Sequence, residues 1–297
     1  MRDTFSSYHP TVNMLYFALV LGFSMVFIHP VCLGVSAVCA FAYALCLKGK
    51  KALKFGLWFM LPMLIVTALL SPLFSHQGAT IIEYLPDGNP LTLESILYGI
   101  AAAVMLITVI NWFSCFNEVM TSDKFVYLFG RIIPALSLIL AMCLRFVPRF
   151  KAQLKVISDA QKCVGRDVSS SSLLRRARHG IHILSIMVTW ALENAIETAD
   201  SMKCRGYGLP GRSAFSIYRI DRRDRAALIY LLVCGVGIIL CGFYGAFDFR
   251  YFPTIKAQTI HQSLLIINYS LFIALNIMPL IITLKESHTW KATQLKV

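Results

Sequence analysis

Charge is scarce in this sequence, and over long stretches it is missing altogether. Charged residues make up 14% of the chain, whereas about a quarter of the residues of ordinary soluble proteins are charged. No Asp, Glu, Lys or Arg occurs between Asp3 and Lys48, a length sufficient for two helical membrane crossings of about 20 residues each. This scarcity excludes an ordinary soluble domain and predicts an all-α integral membrane protein.

Paired cysteines are missing as well. The nine cysteines are scattered singly, and no two of them form a CxxC pair, so the spacing typical of zinc sites is absent. His179 and His182 lie one helical turn apart, but no third ligand accompanies them. We therefore expect neither a disulfide framework nor a metal site.

No catalytic or acceptable nucleotide-binding motif is found either. The glycines between Gly206 and Gly211 fit GxGxxG, and Arg212 stands where a P-loop has lysine. Both motifs need a preceding strand and a following helix, whereas a predicted helix precedes this pattern and Pro210 lacks an N–H group. The sequence therefore predicts a protein that is not an enzyme and binds no cofactor.

What the sequence does contain is a series of long apolar segments. His29-Pro30 divides the first uncharged run, because proline disfavours helical geometry at the residue before it. About six transmembrane helices are predicted, and two long cytoplasmic amphipathic helices are expected between spans four and five. The spans are expected near residues 11–28, 31–47, 55–72, 95–117, 226–247 and 260–284.

These spans divide the chain into three regions. Residues 1–131 are predicted to form an N-terminal transmembrane region, and residues 226–297 a C-terminal transmembrane hairpin. Residues 132–225 lie between them as a cytoplasmic domain. Its first 13 residues, 132–144, are uncharged but too short to cross a membrane, which predicts a helix against the membrane face or buried among the spans, continuing past Pro148.

Positive charge is concentrated in the middle of the chain. Residues 145–225 hold 16 of the 28 Lys and Arg residues, and such residues are enriched in cytoplasmic segments. The segment between Leu73 and Glu94 has no Lys or Arg and is predicted to be an outer acidic loop with a turn at 86–90. This distribution assigns residues 132–225 and both termini to the cytoplasm. It disfavours a nucleic-acid partner, because the charges flank apolar spans.

The two predicted cytoplasmic helices end in similar sequences. The first ends at Lys162-Cys163-Val164-Gly165, and the second at Lys203-Cys204-Arg205-Gly206. A glycine just past the last turn terminates a helix, and a cation near the terminal carbonyls interacts favourably with the helix dipole. Capping explains the glycines, but it does not explain why two successive helices end alike.

At these residues the chain resembles the transmembrane T component of energy-coupling factor (ECF) type ABC transporters. Members of that family carry two short Ala-Arg-Gly-like motifs, each at the end of a long cytoplasmic coupling helix. The second motif stands here as Cys204-Arg205-Gly206, followed by Tyr207-Gly208, and the first as Cys163-Val164-Gly165. Val164 occupies the position of the family's arginine, and Lys162 or Arg166 could supply the charge. Further similarities lie at 9–10, 121–123, 144–148 and 172–176.

The resemblance implies a non-catalytic scaffold in the plasma membrane of a prokaryote. Its partners would be two cytoplasmic ABC ATPases, a small substrate-binding membrane subunit and the lipid bilayer. The scaffold would couple ATP hydrolysis by the ATPases to movement of the capture subunit during uptake of a vitamin or a transition-metal ion. The ATPase-docking residues implied by the resemblance are Lys162, Cys163, Val164, Gly165, Cys204, Arg205 and Gly206.

Two other functional classes remain open. A membrane-embedded lipid-modifying enzyme would use the basic segment to bind anionic head groups, but it needs clustered carboxylates or histidines that the sequence does not offer. A stand-alone permease needs ionisable residues within its spans, and the apolar segments contain only His29 and His261. The sequence does not specify a substrate, because in the ECF family the capture subunit sets it.

Overall fold

The structure is a computed structural model that describes residues 4–75, 77–84, 90–166, 173–209, 218–245, 247, 249–257 and 262–294. Helices dominate this part of the chain, and two short antiparallel ribbons accompany them. The helices are α1 (Pro10–Val26), α2 (Pro30–Lys48), α3 (Lys50–Phe55), α4 (Leu61–Phe74), α5 (Leu93–Val119), α6 (Ser122–Ile132), α7 (Pro134–Cys163), α8 (Leu173–Cys204), α9 (Arg222–Phe243) and α10 (Gln262–Gln294). The strands are β1 (Ile81–Tyr84), β2 (Pro90–Thr92), β3 (Phe249–Arg250) and β4 (Lys256–Ala257).

Five helical segments in the described part of the chain are long and apolar enough to cross a membrane, which supports the predicted helical membrane protein. The apolar helix α1 has only 17 residues, about 26 Å at 1.5 Å per residue, against a hydrocarbon core of about 30 Å. The five segments, each overlapping a predicted span, are Pro30–Lys48, Lys50–Phe74, Leu93–Val119, Arg222–Phe243 and Leu265–Lys285.

The chain divides into two compact units. The first comprises Met1–Lys124 together with Tyr218–Val297, and the second comprises Phe125–Ile217. All five candidate spans belong to the first unit, whereas α7 and α8 belong to the second. The membrane helices therefore come from both ends of the sequence, and the second unit is an insertion between them.

The first unit is built around aromatic packing between α1, α2 and α5. Trp112 is fully buried, and its ring centroid lies 6.0 Å from Tyr16 and 6.3 Å from Tyr43. Its indole N–H donates to Ser36 Oγ at 3.0 Å, and Ser36 Oγ lies 2.9 Å from Ser24 Oγ. Because lipid supplies no hydrophobic force between helices, close packing and interhelical hydrogen bonds of this kind hold them together.

Two short ribbons were not predicted from the sequence. β1 pairs antiparallel with β2, and β3 pairs antiparallel with β4. The first ribbon occupies the segment predicted as an acidic loop, so that prediction was incomplete. Residues 86–89 of the predicted turn lie outside the described residues.

A buried carboxylate joins the first ribbon to α5. Glu94 is 2% exposed, and it accepts hydrogen bonds from the hydroxyl of Thr80 at 2.5 Å and from its N–H at 3.2 Å. Glu94 lies in the first turn of α5, where a negative charge also interacts favourably with the helix dipole. The ribbon is thus fixed at one end of a candidate span.

The second unit is a pair of long amphipathic helices. α7 continues through Pro148, as predicted, and packs on α8 through the rings of Phe150 and Trp190, whose centroids lie 5.5 Å apart. Near the end of α7, Arg166 contacts His182 of α8. Arg166 follows Phe150 in the chain and lies just beyond the end of α7, whereas its partner His182 precedes Trp190 in α8, so the two helices run in opposite directions.

Candidate functional site

The end of α7 is closed by its own backbone. Val164 is the C-cap, and Gly165 follows with a φ of 77°. The N–H of Gly165 donates to the carbonyl of Lys162, and the N–H of Arg166 donates to the carbonyl of Gln161, each at 2.9 Å. These two bonds form a Schellman motif, in which a left-handed glycine turns the chain back over the last turn. Gly165 therefore has the terminating role expected from the sequence.

The end of α8 has the same backbone geometry. Arg205 follows the last helical residue, and Gly206 has a φ of 76°. The N–H of Gly206 donates to the carbonyl of Lys203 at 2.9 Å, and the N–H of Tyr207 donates to the carbonyl of Met202 at 3.0 Å. The two similar sequences thus fold into two equivalent helix ends.

Both ends also carry an aspartate–lysine pair one turn before the glycine. Lys162 Nζ lies 3.7 Å from Asp159 Oδ1, and Lys203 Nζ lies 3.8 Å from Asp200 Oδ1. Such solvent-exposed pairs contribute little to stability, but each partly neutralises the lysine of its own end. The cysteines of the two ends, both exposed, are Cys163 and Cys204.

The two ends differ at the residue before the glycine. Arg205 is exposed, and no described residue forms a hydrogen bond or ion pair with its guanidinium. The equivalent residue of α7 is Val164, which is 69% exposed. The neighbouring cations are engaged, because Arg166 Nη1 donates to His182 Nε2 at 2.9 Å and Lys162 is paired on its own helix. Of the two ends, only that of α8 presents an uncommitted guanidinium among the described residues.

The two ends lie far apart along α8. The end of α7 meets α8 at His182, through Arg166, and Arg205 lies 23 residues beyond His182. At 1.5 Å per residue, these two points on α8 are separated by about 35 Å. One small protein surface therefore does not contact both ends at once.

A long apolar stripe is exposed on α8. Five large aliphatic side chains recur at intervals of three or four residues, which places them on one face of the helix, and each is 51% to 69% exposed. On another face, Ile183 is only 7% exposed. An exposed apolar surface of this length is typical of a surface that lipid or another protein covers. The members of this α8 stripe are Ile181, Leu184, Val188, Leu192 and Ile196.

The sequence analysis missed a polar cluster beside the two points at which the chain leaves and re-enters the first unit. Lys124 is 5% exposed, and its ammonium donates to the carbonyls of Ser6 at 2.6 Å and Val119 at 2.8 Å. Asp224 is 4% exposed and accepts from the N–H of His9 at 3.2 Å. We call this cluster the N-terminal cluster; its members are Ser6, Ser7, Tyr8, His9, Lys124, Arg223 and Asp224.

Further contacts tie the same N-terminal residues to the start of α9. Arg223 donates to Ser7 Oγ at 3.2 Å, and its guanidinium carbon lies 4.3 Å from the centroid of the Tyr8 ring. The ring of His9 lies against that of Tyr218. Burial raises the pKa of the Tyr218 phenol, and the charge of Asp123 adds to the effect. The phenol is therefore neutral at physiological pH.

One local signal in the sequence could have revealed part of this cluster. His9 is the N-cap of α1, its side chain accepts from the N–H of Thr11, and Pro10 occupies the first helical turn. A capping side chain followed by proline is a recognisable helix start. The sequence offers no comparable signal for Lys124, whose contact with Ser6 spans 118 residues.

The paired histidines do not form part of a metal cluster in the described part of the chain. No group of three or more His, Cys, Asp or Glu side chains placed to hold a metal ion occurs among those residues. His182 instead contacts Arg166. Because arginine only donates hydrogen bonds, the Nε2 atom of His182 is the acceptor.

Comparison with known proteins identifies a matching family profile and several related membrane proteins. Residues 4–217 match the family profile described as cobalt transport protein (CbiQ). An energy-coupling factor transporter transmembrane protein EcfT of Staphylococcus aureus is 24% identical over 221 residues, covering 68% of this chain and 82% of that protein. EcfT 1 of Listeria monocytogenes is 23% identical over 207 residues, covering 65% and 74%. For EcfT of Lactobacillus helveticus the values are 30% over 109 residues, 36% of this chain and 39% of that protein.

The helical fold and these similarities define a multi-pass membrane component of a transporter. The chain belongs to the CbiQ/EcfT family, the transmembrane T components of energy-coupling factor transporters. This confirms the resemblance inferred from the helix-end motifs. The family match includes both helix ends, although the alignment with the L. helveticus protein spans only about two fifths of that relative.

Proposed function

We propose that this protein is the non-catalytic scaffold of an ECF-type uptake transporter, and that α7 and α8 are its coupling helices. Two partner ATPases would hydrolyse ATP, and the scaffold would transmit their movement to a membrane subunit that captures a vitamin or a transition-metal ion. The observation that carries this proposal is the exposed guanidinium of Arg205 at the end of a 32-residue helix; this guanidinium forms no hydrogen bond or ion pair with any residue that the structure describes.

The Schellman motifs support recognition through side chains. At each end two carbonyls of the last turn accept hydrogen bonds from the protein's own amides, so these carbonyls are already satisfied; they belong to Gln161 and Lys162 in α7 and to Met202 and Lys203 in α8. A partner therefore distinguishes the ends by the residues that project from them. Arg205 offers a planar set of N–H donors that can bind a carboxylate of an ATPase in a bidentate manner.

The separation of the ends supports docking of two ATPase subunits, one on each end. The contact of α7 with His182 and the position of Arg205 are about 35 Å apart along α8. Lys162, Cys163, Val164 and Gly165 would contact one ATPase, and Cys204, Arg205 and Gly206 the other. The first contact would be predominantly apolar, since Val164 replaces the arginine.

The α8 stripe supports a second class of partner. Its five exposed aliphatic side chains form one apolar face on a helix that also contains many charged residues. We assign this surface to the small substrate-binding membrane subunit, which must contact the scaffold to be moved by it. A helix that binds one partner at its end and another along its side can carry motion between them as a rigid lever.

The proposed topology has six spans in the plasma membrane of a prokaryote, with α1 as the first. Both termini and residues 132–225 would be cytoplasmic, because Lys and Arg are enriched in cytoplasmic segments. The ribbon of β1 and β2 would then face outward. In this arrangement both helix ends are accessible to cytoplasmic ATPases.

Co-purification with two ABC ATPases of an energy-coupling factor transporter from the same organism tests the proposal. The chain is expressed with both ATPases and the complex is recovered through a tag on one of them. We expect Arg205→Glu to abolish recovery of the membrane chain. Lys155→Glu makes the same change of charge at an exposed site within α7 and is expected to leave recovery unchanged. Full recovery of the Arg205→Glu chain would contradict the docking role of Arg205.

A further inference from the structure

A large open cavity lies between α2, α3 and α5 in the first unit. Its volume is about 980 Å³. It lies where α2 ends, where the Lys50–Phe74 span begins and where α5 approaches its end. Three candidate spans thus have one end at this cavity, which places it at a boundary of the bilayer.

The polar side of the cavity contains two lysines that differ in their contacts. Lys48 Nζ donates to Ser114 Oγ at 2.8 Å and lies 3.9 Å from a carboxylate oxygen of Glu118. Lys51 also lines the cavity and is exposed. None of the residues that the structure describes accepts a hydrogen bond from Lys51 or pairs with it. The cavity therefore has one ammonium held in place and one available to a ligand.

The other side of the cavity is aromatic. Phe55 and Phe113 line it and are 41% and 47% exposed. The ring of Phe55 stacks on Phe59 at 5.2 Å, and a π-helical segment, Gly56–Met60, begins directly after Phe55. Such segments are frequent at functional sites. A phospholipid has a charged phosphate next to apolar acyl chains. The cavity offers a cation next to exposed apolar side chains at the membrane boundary, which is complementary to that arrangement.

We propose that this cavity binds an anionic phospholipid, with Lys51 contacting the phosphate and the rings of Phe55 and Phe113 contacting the acyl chains. The charge of the lining favours an anionic over a zwitterionic lipid, because Lys48 and Lys51 outnumber Glu118. In the proposed topology the second span ends on the cytoplasmic side, so the cavity lies at the leaflet where anionic lipids are concentrated, and basic pockets between spans on that side are suited to their head groups. The site is separate from both helix ends, so it extends the proposed function and does not depend on ATPase docking.

Native mass spectrometry of the full-length chain in detergent tests the site. The probes are phosphatidylglycerol, phosphatidylcholine and inorganic phosphate. We expect bound phosphatidylglycerol in preference to phosphatidylcholine. Lys51→Ala should weaken that binding about fivefold, as expected for loss of one basic residue near an anionic surface. Lys54→Ala removes another exposed lysine of α3, one that does not line the cavity, and it should change binding less than twofold.

Three results would overturn the proposal. Equal losses in Lys51→Ala and Lys54→Ala would show that only diffuse surface charge attracts the lipid. Equal binding of the two lipids would show that the cavity does not select the head group. Displacement of phosphatidylglycerol by millimolar inorganic phosphate would identify a phosphate-ion site. Because Lys51 is exposed, unchanged thermal melting of Lys51→Ala is the accompanying check on folding.

Discussion

The ends of α7 and α8 are alike in backbone and unlike in the side chain that precedes the glycine. Each closes with the same pair of Schellman hydrogen bonds, a left-handed glycine and an aspartate–lysine pair one turn earlier. Within the shared sequence Lys-Cys-X-Gly, only the residue between cysteine and glycine differs, valine at the end of α7 and arginine at the end of α8. The geometry of a helix end and its binding chemistry are therefore specified by different residues, and one can change while the other is kept.

The largest expected difference between the ends concerns the arginine. We expect Arg205→Ala to weaken ATPase binding by about 2 kcal/mol, or about 30-fold in Kd, as for an interface anchor. Val164→Ala should weaken binding less, by about 1 kcal/mol or about fivefold in Kd, because it removes two methyl groups that the ATPase would bury only in part. Binding of purified ATPases to the chain in nanodiscs measures both. Equal effects at the two ends would remove the proposed asymmetry.

The glycines test whether the backbones of the two ends are equivalent. A left-handed conformation costs a residue with a Cβ about 1–2 kcal/mol, so Gly165→Ala and Gly206→Ala should each weaken the last turn of its helix. A Cβ at Gly206 would also lie 3.2 Å from Leu209 Cδ1, whereas one at Gly165 would meet nothing within 4 Å. Amide hydrogen exchange in the last turns should therefore increase in both variants, slightly more for Gly206→Ala.

Exchange that rises at only one end would mean that the two Schellman motifs differ in stability. Gly180→Ala is the control, since Gly180 lies within α8 and a Cβ there meets nothing within 4 Å. Alanine favours a helix interior over glycine, so this variant should not increase exchange.

The smallest expected effect is a gain. Val164→Arg places an arginine on a helix end whose backbone already matches that of α8. We expect ATPase binding to tighten by about 1 kcal/mol, or about fivefold, less than Arg205 contributes, because the partner surface is adapted to valine. The measurement is the same nanodisc titration, with Val164→Leu as the uncharged control. Weaker binding of Val164→Arg would show that the apolar residue is itself selected at this end.

The features that could be predicted from the sequence are those with local causes. The termination of the helices before Gly165 and Gly206, the break at His29-Pro30 and the continuation of α7 through Pro148 all follow from a few adjacent residues. Five spans follow in the same way from long uncharged runs. The membrane fold and the helix ends therefore needed no knowledge of tertiary contacts.

The features that could not be predicted depend on contacts between distant residues. The ribbons have strands of two to four residues, too short for a recognisable alternation of polar and apolar side chains. Arg166 offered a spare charge in the sequence, and only the packing of α7 on α8 shows that it is engaged with His182. The contact of Arg223 with Ser7 joins residues 216 positions apart, and composition contains no signal of such a pairing.

The N-terminal cluster has a consequence for how this chain can vary in evolution. The 93-residue second unit departs after Lys124 and returns at Tyr218, and the residues at both junctions contact the same short stretch, Ser6 to His9. Because both junctions contact one short stretch, the sequence between them can be replaced without changing the contacts at the junctions. Its interior can therefore change while the membrane bundle is kept, provided that the junction residues and the N-terminal stretch are inherited together.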